Sequence, residues 1–335
     1  MSEADYEYET DSGCLSVRVH LRDKEDGTEK EESRNLLPYP GFAELQDKKS
    51  LLSSLLAEFV GSLILVFVGC GSCMGGDTKE APVQVDDQAN TVRIALCFGI
   101  TVATLAQSIG HVSGCHINPA VTFGLMIGRK VGMIKSLLYI GAQCVGAITG
   151  AAILAAVIPL GVRGVEGFGV TGLAPSVTPG QGVAIEMLIT MVLVIVVFAA
   201  AADSVNAATV KGSAPLAIGL SITACHLFAV PFTGSSMNPA RSLGPAVIQG
   251  KLENHWIYWV GPLLGGFLAA LIYQVAFRAT SEEKQRRKVK RVDSRKEFCR
   301  RQSGSELPPD VYAKNVIASR ESNGKELVWI ENIDQ

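Results

Sequence analysis

The residues with the clearest chemical potential in this chain come as a pair of stretches. Ser113-Gly114-Cys115-His116-Ile117-Asn118-Pro119-Ala120-Val121 is matched by Thr233-Gly234-Ser235-Ser236-Met237-Asn238-Pro239-Ala240-Arg241. In each stretch an Asn can cap a helix that opens on Pro. The Asn side chain accepts from an orphan N–H of the first turn, and Pro has no N–H there to leave unpaired. Each helix should run to a glycine stop, near Gly128 and Gly250. About ten residues of helix span roughly 15 Å, half of a ~30 Å hydrocarbon core. Two such half-helices entering from opposite faces would meet near the midplane, Asn118 to Asn238. Their amides would then lie at the positive ends of two helix dipoles. A water offering its oxygen to both amides turns its hydrogens away, which breaks a proton-conducting chain and repels cations. Capping alone explains each Asn singly but leaves the duplication unexplained.

The surrounding segments suit this arrangement. Six apolar stretches lie near 52–73, 93–112, 136–158, 181–202, 214–231 and 257–278, each long enough, or nearly so, to cross a membrane as helix. The two short helices fall between the second and third and between the fifth and sixth. Three spans and one half-helix are thus repeated, and an odd number of spans inverts the second copy. Small residues at four-residue spacing (Ala142, Gly146 and Gly150; Ala57 with Gly61; Gly261 with Gly265) allow close helix packing in lipid. The chain is 48% hydrophobic and 19% charged, with the charges concentrated at its ends. Lys48, Lys49, Arg129, Lys130, Lys135 and Lys211, with ten Lys or Arg among residues 279–301, put both termini and the first half-helix loop on the cytoplasmic side.

That topology places further side chains at defined depths. Arg241 stands where the first copy has Val121, and an intramembrane Arg is costly unless it lines water or has partners. Span two enters from outside near Arg93, so Phe98 lies roughly 7 Å inside. Span five leaves near Pro231, which puts His226 at a similar depth. Phe98, His226 and Arg241 can form one ring at the outer end of a pore. Glu58 and Glu186 are the acids within spans one and four, at corresponding places. They read either as a proton or cation relay or as acceptors for the irregular backbone of the re-entrant loops.

The duplicated Asn-Pro-Ala motif, followed in its second copy by Arg241, resembles the aquaporins (major intrinsic proteins) over roughly residues 50–278. The resemblance implies an all-α integral membrane fold: six transmembrane helices plus two re-entrant half-helices in two inverted repeats. It implies passive conduction through pore residues Asn118, Pro119, Ala120, Asn238, Pro239 and Ala240, without catalysis, cofactor or metal. Glu58 and Glu186 become loop supports, and a homotetramer with one pore per subunit is expected. Ser235 becomes the small fourth member of the outer ring, at a place where many water channels carry Cys. His226 narrows that ring, and Ser242 replaces the Asp that typically follows Arg in glycerol-conducting members. Both favour water over glycerol. A broader pore for glycerol, urea or peroxide, or an adhesive or signalling protein, are the rival functions.

The domain reading is an acidic cytoplasmic tail over 1–50, repeats over 51–160 and 161–278, and a cytoplasmic tail over 279–335 with a basic juxtamembrane segment. The N-terminal tail holds no apolar run of signal-peptide type, so an N-terminus neither exported nor cleaved is expected. The expected location is the plasma membrane, as a multi-pass protein, with time in intracellular vesicles. Glu32, Leu36 and Leu37 fit an acidic dileucine pattern read by sorting adaptors, or an incidental Leu pair in a solvated tail. Residues 278–301 could bind anionic lipid, and Ser303 follows Arg300-Arg301 as a candidate kinase site. No nucleic-acid partner is expected. The eight cysteines show no disulfide framework, and Cys70-x-x-Cys73 lacks a redox context. Cys115 is either a pore-facing thiol open to mercurials or a buried, inert one. His111 and His116 could sense pH near the inner mouth, but loop hydrogen bonding is the preferred reading.

Overall fold

In a membrane span the polar residues must face inward and the apolar ones outward. On the first span, Leu52, Leu56, Val60, Ile64 and Val68 recur every four residues and are exposed, while Ser54, Glu58 and Ser62 are buried. The protein is described here by a computed structural model covering residues 4–11, 14–22, 29–35, 45–74, 87–159, 168–202 and 212–277. Six of its helices are long and apolar enough to cross a membrane. Helix α1 (Lys48–Gly71) starts where Asp47 accepts from the Ser50 amide, and α2 spans Asp87–Ser113. The half-helix α3 (Pro119–Ile127) and the span α4 (Met133–Val157) complete the first repeat.

The second repeat begins with α5 (Pro179–Val197), opened by a reciprocal capping box between Thr178 and Gln181. It continues with α6 (Ala214–Thr233), the half-helix α7 (Pro239–Gln249) and α8 (Ile257–Ile272). π-Helical turns at Phe198–Ala202 and Tyr273–Phe277 extend α5 and α8. The packing obeys the internal symmetry. Helix α1 lies on α4 as α5 lies on α8; α4 packs on α7 as α8 packs on α3; α2 meets its own counterpart α6.

Glycines set the spacing of these contacts. A Cβ on Gly146 or Gly150 would run into the Phe59 or Leu63 carbonyl of α1, and one on Gly265 into the Met187 carbonyl of α5. Gly61 has a different task, leaving room for the Ile117 side chain of the first re-entrant loop. Outside the repeats lies an element that the hydrophilic reading of residues 1–50 does not anticipate. Strands β1 (Ala4–Asp11), β2 (Cys14–Arg22) and β3 (Glu29–Asn35) form an antiparallel sheet in the order β1-β2-β3, with Tyr8 opposite Val17 and Val19 opposite Glu32. A period-two alternation is present in Tyr6 and Tyr8 of β1 and in Leu15, Val17, Val19 and Leu21 of β2, but β3 has none.

The glycine contacts predict a position-specific response. Gly265→Ala forces α5 and α8 apart and should cost about 1–3 kcal/mol, the range for overpacking. Gly141→Ala, where a Cβ meets no atom within 4 Å, should be neutral or slightly stabilising. Unfolding temperatures of the two variants in detergent test the contrast.

Candidate functional site

The two re-entrant loops carry left-handed backbone at three matching residues each: Gly114, Cys115 and Ile117 (φ 90°, 49° and 42°) and Gly234, Ser235 and Met237 (φ 74°, 49° and 53°). Such backbone cannot satisfy its own N–H groups, and at membrane depth no bulk water does so. A buried carboxylate takes them instead. Glu58 Oε1 accepts from the Ser113 hydroxyl (2.6 Å) and His116 N (2.9 Å), and Oε2 accepts from Ile117 N (2.6 Å). Glu186 repeats the pattern with the Thr233 hydroxyl (2.6 Å), Ser236 N (2.9 Å) and Met237 N (2.8 Å). Tyr139 and Tyr258 brace the loop starts, each donating at 2.9 Å to the carbonyl of Ser113 or Thr233. Both carboxylates are fully buried.

The loops so held deliver the two asparagines to one another. Asn118 Oδ1 accepts from Ala120 N, while Asn238 Oδ1 accepts from Ala240 N and Arg241 N. Each is therefore an N-cap, with Pro119 or Pro239 at the first helical position. Each amide also crosses the symmetry axis: Asn118 Nδ2 donates to the Met237 carbonyl and Asn238 Nδ2 to the Ile117 carbonyl, both at 2.9 Å. Every amide NH₂ has a second hydrogen, and both Asn side chains line the central cavity.

That cavity is about 70 Å³. At ~10–15 Å³ for each enclosed water it has room for about five to seven. At one end Phe98 stacks on His226 with ring centroids 4.7 Å apart, and the Arg241 guanidinium lies 4.8 Å from the Phe98 ring centre. His226 Nδ1 lies 3.0 Å from the Ile222 carbonyl. A carbonyl only accepts, so Nδ1 carries the proton and Nε2 is left as an acceptor. His226 Nε2 and Arg241 Nε are buried and have no hydrogen-bond partner within the protein. The rest of the cavity wall combines Leu65, Val102, Leu193 and Ile222 with Asn118, Asn238 and Ser236. The symmetry-related positions at the other end are Ile218, Ala106 and Val121, all apolar and all lining the cavity. The polar constriction is thus confined to one end.

Ser235, expected in the ring, is fully buried with its hydroxyl unpartnered, and it is not among the residues lining this cavity; Ser236 is. Cys115 does line the cavity, whereas Cys225 is buried with its thiol against the Ile189 carbonyl. Loop packing also recruits residues with no motif of their own. Gln143 of α4 donates to Glu58 (2.8 Å) and Thr122 (2.9 Å), and His116 Nδ1 meets the same Thr122 hydroxyl at 3.2 Å. The second loop uses a hydroxyl chain instead: Thr171 donates to Ser242 (2.8 Å), Ser242 to Ser236 (2.6 Å), and Ser236 to the Asn238 carbonyl (2.9 Å). Arg241 Nη1 donates to the Gly169 carbonyl, from the loop before α5. Among the described residues no cluster of three or more His, Cys, Asp or Glu could hold a metal. Glu32 lies within β3, while Leu36, Leu37 and Ser303 fall outside the described residues.

Comparison with known proteins agrees with this geometry. Residues 44–273 match the family profile of the major intrinsic proteins. Aquaporin-4 of Dipodomys merriami is 49% identical over 233 residues, covering 70% of this chain and 69% of its own. Aquaporin-4 of Homo sapiens is 48% identical over 233 residues, 70% of each chain, and human aquaporin-1 is 44% identical over 236 residues, 70% and 86% of the two chains. The solved aquaglyceroporin of Plasmodium falciparum shares the fold at 22% identity, with a TM-score of 0.59 over 69% of this chain and 99% of that one. With its six spans, two capped half-helices and these relatives, the chain is a multi-pass membrane protein belonging to the aquaporin (major intrinsic protein) family.

Proposed function

We propose that the chain is a passive, water-selective channel that excludes protons and ions. The observation that carries this reading is the pair of crossed asparagine amides lining the same cavity. A water at that point accepts from both amides and cannot pass a proton along the file. The two half-helix N-termini add about half a positive charge each, which disfavours cations at the same place. Toward the outer end, the His226 acceptor and the Arg241 donor replace two of the hydrogen bonds that water loses on entry, and the Phe98 ring limits width. Relatives named aquaporin support the same reading. On this reading Glu58 and Glu186 are structural acceptors, since every carboxylate oxygen is already bonded to loop donors.

The finer assignments extend the proposal. The protein works as a homotetramer in the plasma membrane, with both termini cytoplasmic by the Lys and Arg distribution. The basic segment after α8 contacts anionic lipid, and Ser303 and the Glu32/Leu36/Leu37 motif serve a kinase and a sorting adaptor. Ser235 is not part of this reading of the constriction, since it does not line the cavity.

Osmotic shrinkage of proteoliposomes tests the central reading. Shrinkage should be fast in an impermeant osmolyte, and glycerol flux should stay at the protein-free level. His226→Gly removes both bulk and a polar wall and should admit glycerol while water flux persists. Glycerol passage in the wild type would instead favour a broader solute pore, and water flux at background would remove the channel assignment.

Cys115 gives a second, independent check of pore position. A mercurial on its thiol would occupy the lumen on the α3 side of Asn118. Water flux should fall on treatment in the wild type and be spared in Cys115→Ala. Equal sensitivity in both would move the reactive thiol elsewhere.

A further inference from the structure

Besides lying against the Phe98 ring, the guanidinium of Arg241 has two polar neighbours, and only one of them is a carbonyl. Nη1 donates to Gly169 O, while Nη2 faces the Cys73 sulfur at 4.0 Å. Cys73 sits just beyond the end of α1, in a turn in which its amide donates to the Cys70 carbonyl at 3.1 Å. Its thiol hydrogen points at the Gly69 carbonyl, 3.7 Å away, so the sulfur lone pairs are left to meet the guanidinium. The same turn also seats the loop that carries the first acceptor. Gly169 has φ 69°, and a Cβ there would lie 3.0 Å from Cys70 Cβ and 3.1 Å from Cys73 Sγ. The C-x-x-C turn thus touches Arg241 directly through Nη2 and indirectly through Gly169 and Nη1.

We propose that Cys73 is a specificity-determining positioning residue: its thiol fixes the orientation of Arg241 in the outer constriction. This rests on the water-channel reading above. Cys73 does not line the cavity, so it acts on a permeant only through Arg241. With Nη2 released, the guanidinium pivots about its remaining bond to Gly169, and the width of the constriction fluctuates. Water passes at every width. A slightly larger neutral solute such as urea passes only at the widest, so its flux rises more steeply. This gives the C-x-x-C pair a role that needs neither metal nor redox chemistry.

The test is the ratio of urea to water permeability in proteoliposomes, which does not depend on how many channels fold or insert. Wild-type water flux is recorded first, so that failure of the channel reading shows separately. Cys73→Ala should raise the ratio by about threefold to tenfold, the scale of losing one ordinary hydrogen bond. Cys73→Ser, which keeps a small acceptor, should stay within about twofold of wild type on the same scale. A wild-type ratio in Cys73→Ala, or a ratio in Cys73→Ser as high as that of Cys73→Ala, would overturn the proposal. If Cys73→Ala does not yield folded protein, Cys73→Val takes its place with the same expected rise, and a wild-type ratio there is equally fatal.

Discussion

The architecture depends on one constraint, the need to satisfy irregular backbone at membrane depth. Two short helices that stop at the midplane require chain that turns there, and turning chain has free N–H groups. Glu58 and Glu186 meet that need, each binding two backbone amides and one hydroxyl of its loop. Leaving a buried donor unpaired costs about 1–3 kcal/mol, and each loop presents three donors to its carboxylate. Because the carboxylates are consumed in this way, they are poor candidates for a relay. The Asn118 and Asn238 cross-contacts follow from loops held in this shape.

On the proposed reading, selectivity resides where the internal symmetry is broken. Scaffold contacts repeat closely in both halves: the carboxylate pattern, the Tyr139 and Tyr258 braces, and the crossed amides. The constriction does not repeat. Phe98, His226 and Arg241 at one end correspond to Ile218, Ala106 and Val121 at the other, so one polar gate stands in series with an apolar passage. On the proposed reading the apolar wall binds water weakly and lets it move, while the asparagine pair and the polar end make up for part of the hydration lost on entry.

Most of this was legible in the sequence because membrane helices convert residue number directly into depth. Counting inward from Arg93 and from Pro231 brought Phe98 and His226 to one level, and in the structure their rings stack. The duplicated Asn-Pro-Ala gave the half-helices, their caps and their glycine stops Gly128 and Gly250. What stayed hidden depends on contacts between segments that have no periodicity. Gly169 lies in a loop, and its carbonyl could have come from any residue there. Gln143 reads as one polar residue among many on α4. Cys73 belonged to a pattern whose familiar meanings are metal and redox, and its position against Arg241 is visible only once the loop before α5 is in place. The N-terminal strands were obscured because β3 has no apolar residue to show an alternation and the surrounding tail is strongly acidic, with 13 acidic residues within the first 50.

The most direct test of the carboxylate account is replacement by the amide of the same shape. Gln in place of Glu186 keeps the volume but exchanges one acceptor oxygen for an NH₂, which must oppose a donor of Thr233, Ser236 or Met237. Water flux per reconstituted channel and the unfolding temperature should be measured together for Glu186→Gln, Glu58→Gln and the double variant. If the carboxylates hold the loops, each single variant lowers both quantities and the double variant lowers them further. Wild-type flux and wild-type stability in Glu186→Gln would contradict the account.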